Sequence, residues 1–165
     1  MVDQQPVPAQ DAGGQNLVQF AIDRIYVKDL SLENPGAPQS FQVSEPPSVE
    51  IGLRTRTDQL DTDVYETVLT VTVTAKSADK TLFLVEAAQA GIFTIKGVPQ
   101  NQLQPVIAIH CPTVLFPYVR ETIADATSRA GYPPVHLAPI NFEMLYQQQL
   151  AQAQAQPQIA PAAVN

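Results

Sequence analysis

The chain has 165 residues and a mass of 17.9 kDa, and 45% of its residues are hydrophobic, so the composition excludes a chain that is disordered throughout and favours one domain. Nine basic residues against 16 acidic ones give a net charge of −7, which excludes nucleic acid and anionic membrane surfaces as natural partners. A single cysteine excludes an intramolecular disulfide.

The two ends of the chain differ in composition from its middle. Residues 1–16 are rich in Gln, Pro, Gly and Ala and lack the basic and apolar stretches of a signal peptide. We expect a disordered N-terminal tail there, a cytoplasmic location and no membrane insertion, because no apolar run approaches the roughly 20 residues of a spanning helix. Residues 151–165 predict a Gln/Ala/Pro-rich tail, although the last helix can run on to about Gln156. The predicted domain occupies residues 17–150.

Alternating apolar and polar residues predict a first strand from Val18 to Leu32, with the even positions forming one mostly apolar face. The proline-rich segment that follows, around Phe41, predicts a long crossover loop without regular structure. β-Branched and aromatic residues predict three further strands, of which the last two form a hairpin: Val49–Arg56, Val64–Ala75 and Leu82–Ile95. Both faces of the last strand are largely apolar, so we expect one to cover helices and the other to lie in an interface.

Helical spacing of apolar residues begins after Gly97 and ends at Gly131. Prolines inside this region predict a first short turn, a break near Cys111-Pro112 and then the main helix. Asn141 is a suitable N-cap for a last helix. That helix carries apolar residues on one side: Phe142, Leu145, Tyr146 and Leu150. The element order is therefore ββββαα.

Side chains for catalysis or metal binding are scarce. His110-Cys111 is the one tempting pair, but adjacent helical residues project about 100° apart, which favours a buried structural thiol. The aspartates within residues 58–63 lack the glycine and the bidentate glutamate of a calcium loop, and His136 is expected to be an exposed loop residue. We therefore predict no enzyme activity, no catalytic residue, no metal site and no cofactor.

Several segments match a known family, and the stretch from Cys111-Pro112 to Phe116-Pro117-Tyr118 is a specific signature of it. Three of them stand in the helical region: His110–Glu121, Ser128–Pro133 and Leu137–Phe142. Two shorter ones stand in the strand region: Arg24–Asp29 and Gly91–Phe93. From about Phe20 to Leu150, the chain resembles the SecB family of cytosolic protein-export chaperones.

The resemblance implies an α+β fold in which a four-stranded antiparallel sheet is followed by two helices. It also implies a homotetramer, a dimer of dimers, and four chains of 17.9 kDa make about 72 kDa. Long grooves of this assembly hold non-native polypeptides without ATP. Phe41, Tyr132 and Leu137 are thereby assigned to one groove subsite and Phe142 to peptide binding, with ordinary burial as the alternative for each aromatic residue. Glu45 stands where the family usually carries Trp, so the subsite is expected to be shallower or less aromatic.

The resemblance further implies contact with the zinc-bearing tail of the export ATPase SecA. Four positions match that contact: Asp29, Glu33, Leu84 and Glu86. Without the resemblance, these acidic residues are interpreted as solvated surface. The implied function is to keep unfolded precursor polypeptides translocation-competent and to deliver them to SecA. Two alternatives stay open, namely a SecB-like chaperone dedicated to one client such as a toxin–antitoxin pair, and a small-molecule-binding protein with a pocket between sheet and helices.

Overall fold

A computed structural model describes residues 17–155 and confirms the predicted order of four strands and two helices. The strands are β1 (Gln19–Glu33), β2 (Ser48–Asp61), β3 (Val64–Ser77) and β4 (Lys80–Lys96), and the helices are α1 (Gln100–Arg129) and α2 (Phe142–Ala155). Residues 151–155, the start of the predicted C-terminal tail, continue α2. Residues 1–16 and 156–165, where tails are predicted, lie outside the described residues. No helix within residues 17–155 is both long and apolar enough to cross a membrane.

The four strands form one antiparallel sheet in the order β1-β4-β3-β2, so β1 and β2 are its two edges. The crossover from β1 to β2 contains a 3₁₀ helix over Gln39–Gln42, where no regular structure is expected from the sequence. Pro38 precedes this helix in the right-handed helical region, and the N–H of Ser40 donates to the carbonyl of Gly36 at 2.8 Å. The prolines that make the sequence look irregular therefore start a helical turn, because their ring fixes φ near the helical value.

Two β-bulges change which residues of β1 share a face. Register shifts lie between Ile22 and Arg24 and between Val27 and Asp29, and each one moves the alternation by one residue. Residues directly opposite each other in an antiparallel pair share a face. One face of the sheet packs against α1 and is called the helix side; the other is the open side. On the helix side, β1 presents only apolar residues: Phe20, Ile22, Ile25, Val27, Leu30 and Leu32. The prediction that the even positions form a single apolar face is wrong, since the first bulge places Arg24 and Tyr26 on the opposite, open side and brings Ile25 and Val27 to the helix side.

Helix α1 packs on the centre of the sheet, above β3 and β4. Its buried face presents a row of residues at helical spacing to the strands: Ile107, Cys111, Leu115, Val119 and Ile123. Gly91 on β4 permits the close approach. A Cβ at Gly91 would lie 2.8 Å from the ring of Phe93 and 2.9 Å from Cδ2 of Leu115, so any larger residue would force these side chains to shift. The core is therefore a two-layer contact centred on β4.

The predicted break near Cys111-Pro112 is wrong, because α1 runs without interruption through Pro105, Pro112 and Pro117. Pro112 is fully buried against the sheet, and this packing offsets the backbone hydrogen bond that a helical proline removes. The Thr113 hydroxyl also donates to the carbonyl of Ile109 at 2.6 Å and supplies a donor in the disturbed turn.

Both ends of the linker between the helices match the sequence-based expectation. Gly131 has a φ of +90°, which favours glycine, and its N–H donates to the carbonyl of Ser128 at 3.1 Å. The side chain of Asn141 accepts a hydrogen bond of 3.0 Å from the N–H of Met144 and caps α2. Between them, the N–H of Val135 donates to the hydroxyl of Thr127 at 3.0 Å. The linker is thus tied to α1.

Candidate functional site

A cavity of about 680 Å³, here called the aromatic cavity, opens between the crossover loop and the linker. Phe41 from the 3₁₀ helix and Tyr132 from the linker form part of its wall, with ring centroids 5.4 Å apart. The ring of Tyr132 also lies 4.7 Å from that of Phe83 on β4. The cavity therefore joins two loops and the sheet around one aromatic cluster, and Phe41 presents 52% of its surface to solvent.

Polar contacts hold this aromatic cluster in place. The Tyr132 hydroxyl lies 2.7 Å from the hydroxyl of Ser40 and donates to Oδ1 of Asn34 at 3.2 Å. The Asn34 amide donates in turn to the carbonyl of Ala130 at 2.9 Å. Gly131 carries no side chain where Phe41 packs, since a Cβ there would lie 3.0 Å from the ring. The crossover loop is thereby fastened to the end of α1.

Not all predicted groove residues are at this cavity. Leu137 is only 2% exposed and lies in the core. Phe142, 5% exposed, packs with its ring centroid 6.0 Å from that of Phe116. It also lines a second cavity of about 420 Å³ between β2 and the helices. Glu45 lines the aromatic cavity and is the one charged side chain among its described lining residues.

The second cavity continues along the edge of the sheet. A third cavity of about 370 Å³ shares Thr57 and Ile107 with it. The helix-facing residues of β2 line the three cavities in turn: Val49 the aromatic cavity, Leu53 and Thr57 the second, Thr57 and Gln59 the third. This series of cavities is called the β2 groove below. Sequence reasoning missed the role of β2, although its alternating apolar residues were the available signal.

The opposite, open side of the sheet carries the four residues assigned to docking. Asp29 and Glu33 stand on β1, and Leu84 and Glu86 stand on the neighbouring strand β4. Glu33 is directly opposite Leu84, and Asp29 is directly opposite Ala88, next to Glu86 along the same face. The structure thus brings all four residues together in one patch, called the acidic patch below. Asp29 and Glu86 also line a shallow depression of about 420 Å³, whose other charged lining residues are Lys28, Arg54, Arg56 and Asp58.

A buried carboxylate beside this patch was not predicted. Glu66 on β3 is 8% exposed, accepts a hydrogen bond from the Tyr26 hydroxyl and forms a 2.6 Å ion pair with Lys28. The hydrogen bonds from Lys28 and Tyr26 lower the pKa of Glu66, and the hydrogen bond to Glu66 is the main cause that raises the pKa of Tyr26 to about 12. The network joins β1 to β3 across β4, so only the register of three strands could reveal it.

The chemistry of the remaining polar residues is structural. Burial raises the pKa of the Cys111 thiol to about 11, so the thiolate is disfavoured at neutral pH. His110 is exposed and His136 is exposed on the linker. Within residues 17–155, no group of three or more His, Cys, Asp or Glu side chains could hold a metal ion.

Comparisons with known proteins agree on one family. The family model described as preprotein translocase subunit SecB matches residues 13–153. The protein-export protein SecB of Burkholderia lata is 53% identical over 146 residues, which cover 88% of this chain and 91% of that protein. The protein-export protein SecB of Methylobacillus flagellatus is 55% identical over 140 residues, which cover 85% of this chain and 89% of that protein.

A solved structure shares the fold at low sequence identity. It is the SecB-like chaperone of Mycobacterium tuberculosis in complex with a peptide from the HigA1 antitoxin. It superposes with a TM-score of 0.61 over 73% of this chain and 90% of that chain, at 17% identity. At this identity the likeness concerns the fold alone.

Proposed function

This chain belongs to the SecB family, and we propose on that premise that it is an ATP-independent export chaperone of the cytoplasm. It binds non-native precursor polypeptides, keeps them competent for translocation and delivers them to the SecA ATPase, without enzyme activity or a cofactor of its own. Relatives above 50% identity that are named protein-export protein SecB support export in preference to a dedicated antitoxin client or a small-molecule ligand.

The β2 groove is the observation that carries client binding. Its three cavities follow one edge strand, so an extended chain can place apolar side chains in the mainly apolar aromatic cavity and polar ones in the mainly polar third cavity, while its backbone pairs with the free edge of β2. Four buried Leu- or Phe-sized groups contribute about 6–12 kcal/mol before association and ordering costs. Folded proteins hide such groups, so selectivity for non-native clients needs no sequence code.

The exposed apolar residues of β1 support self-assembly. Ile22, Val27 and Leu30 face the helix side, yet each is about half exposed, because α1 covers β3 and β4 and leaves β1 uncovered. A free edge strand beside such a surface favours pairing with a second copy. We propose the homotetramer of the family, a dimer of dimers of about 72 kDa from 17.9 kDa chains. Light scattering that gives a monomer at micromolar concentration would contradict it.

The acidic patch supports docking to SecA. Asp29, Glu33 and Glu86 lie on the open side, whereas the β2 groove lies on the helix side, so a client and a cationic receptor can bind at the same time. The net charge of −7 per chain hastens encounter with a basic partner. Transfer of the client then proceeds by competition, without hydrolysis by this chain.

One experiment tests the chaperone function directly. An unrelated protein is denatured in guanidinium chloride and diluted into buffer, with or without the full-length chain and in the absence of nucleotide. We expect a molar excess of the chain to slow the recovery of the denatured protein's activity, because the chain binds the unfolded state of that protein. An equal amount of serum albumin is the control. Unchanged refolding kinetics, together with no stable complex on gel filtration, would overturn the proposal.

A further inference from the structure

Thr72 makes a contact that controls the orientation of a docking residue, an inference that rests on the proposed function of the acidic patch. Thr72 on β3 and Glu86 on β4 are directly opposite each other in the antiparallel register. The Thr72 hydroxyl donates a hydrogen bond of 2.8 Å to Oε2 of Glu86. Both side chains are partly buried on the open side of the sheet. The Glu86 carboxylate is therefore held in one orientation instead of rotating in solvent.

The hydrogen bond also sets the direction in which this carboxylate points. Because β4 lies between β1 and β3, a carboxylate tied to Thr72 leans toward β3 and away from Asp29 and Glu33 on β1. Ser31 on β1 is directly opposite Glu86. Among the described side chains, Ser31 does not form a hydrogen bond with Glu86, whereas Thr72 does. Like charges on neighbouring strands repel, so the Thr72 contact relieves this repulsion and separates the acceptors.

We propose that Thr72 is a positioning residue for SecA docking. It presents Glu86 as a fixed acceptor in the depression that Asp29 and three basic side chains also line, and Oε1 of Glu86 stays available for a cationic group of the SecA tail. A glutamate that is already ordered loses less rotational freedom on binding, which strengthens the complex. Removal of the hydroxyl should therefore weaken the affinity for the tail by roughly three- to tenfold, the usual net effect of one hydrogen bond.

The test measures binding of a synthetic, zinc-loaded SecA tail peptide to the full-length protein by isothermal titration calorimetry. Thr72→Val keeps the size of the side chain but removes the donor, and we expect the three- to tenfold loss. Thr72→Ser restores the donor and should return the affinity to within about twofold of the wild type. Thr74→Val is the matched control, since Thr74 lies on the same strand and face and makes no side-chain hydrogen bond among the described residues.

A double-mutant cycle separates positioning from a general effect on the sheet. In a Glu86→Ala background, Thr72→Val should cause no further loss of peptide affinity, because its action passes through the carboxylate. Capture of a denatured client should be equal in wild type and Thr72→Val. Equal affinity of Thr72→Val and wild type would overturn the inference, as would an equal loss in Thr74→Val or a full second loss in the Glu86→Ala background. If the wild-type protein itself fails to bind the peptide, the docking proposal fails, and this inference fails with it.

Discussion

The two sides of the sheet present different kinds of surface. On the helix side, apolar residues are covered by α1 at the centre, and the cavities open at the margins, where loops and the linker meet the edge strand β2. On the open side, charged and hydroxyl side chains stand at fixed positions of the strand register. The aromatic cavity is built by loops and is mainly apolar, whereas the strands hold charges at set spacings. The difference shows how one domain can carry an apolar surface that suits varied side chains on one face and a fixed charge pattern that suits a particular partner on the other.

This comparison predicts that changes on one side leave the activity of the other intact. The largest effect is expected from charge reversal in the acidic patch. Asp29→Lys or Glu86→Lys should weaken binding of the SecA tail by roughly 30-fold or more, because a cationic partner then meets a like charge. Client capture should stay within about twofold. Calorimetry with the tail peptide and a refolding assay measure the two activities in parallel.

Glu50→Lys is the matched control for charge reversal. Glu50 lies on the same open side but on the distant strand β2, where it pairs with Lys76 at 3.1 Å. This variant carries the same change in net charge and should retain affinity for the tail. Equal loss in all three variants would mean that total charge, and not the acidic patch, determines docking.

A smaller effect is expected on the helix side. Tyr132→Ala removes a ring that contacts both Phe41 and Phe83 and should weaken client capture by about tenfold, with a loss of about 2 kcal/mol in the free energy of unfolding. Tyr132→Phe keeps the ring and loses only the hydroxyl contacts with Ser40 and Asn34. We therefore expect the free energy of unfolding to fall by only about 1 kcal/mol. Competition binding of a fluorescent unfolded client and urea unfolding measure these losses. Affinity for the SecA tail should not change; a parallel loss would contradict the separation of the two sides.

The smallest effect concerns the pH dependence of stability. The pKa of Glu66 is lowered from its ordinary value of 4.5 in the folded protein, mainly by Lys28. Its ionised form therefore stabilises the fold above pH 4.5, and this contribution is lost as the pH falls through the lower, folded value. Glu66→Gln should lower the free energy of unfolding by about 1 kcal/mol near neutral pH. The difference in this free energy between the variant and the wild type should shrink below pH 4.5. Urea unfolding at pH 7 and pH 3.5 checks this, and a difference that does not change with pH would contradict it.

Much of the fold was predictable because its strongest patterns are local. The alternation in Val64–Ala75, the apolar run of β4 and the cap at Asn141 each depend on neighbours in the sequence. The proline-containing helix was not predictable in the same way. Whether Pro112 breaks a helix depends on how much burial it gains against a sheet that is formed by distant residues.

The candidate site was predictable only in part, for a similar reason. Asp29 and Glu86 were identified through a family resemblance, but their proximity on one side depends on the register between β1 and β4. The contact of Tyr26 with Glu66 joins residues 40 positions apart, and no local signal marks it. The assignment of Leu137 and Phe142 to peptide binding stays a prediction, since both are buried in the described chain.

Gly91 offers protein engineers a way to change the depth of the groove. An alanine there would press against the ring of Phe93 and Cδ2 of Leu115, and a fold that relieved this contact by moving Leu115 would raise α1 from the sheet. Ile107 and Gln104 of the same helix line both the second and the third cavity. A rise of α1 would therefore deepen both cavities together. The size of the side chains that the protein accommodates would then be adjusted by a residue that is itself buried and lines none of the three cavities.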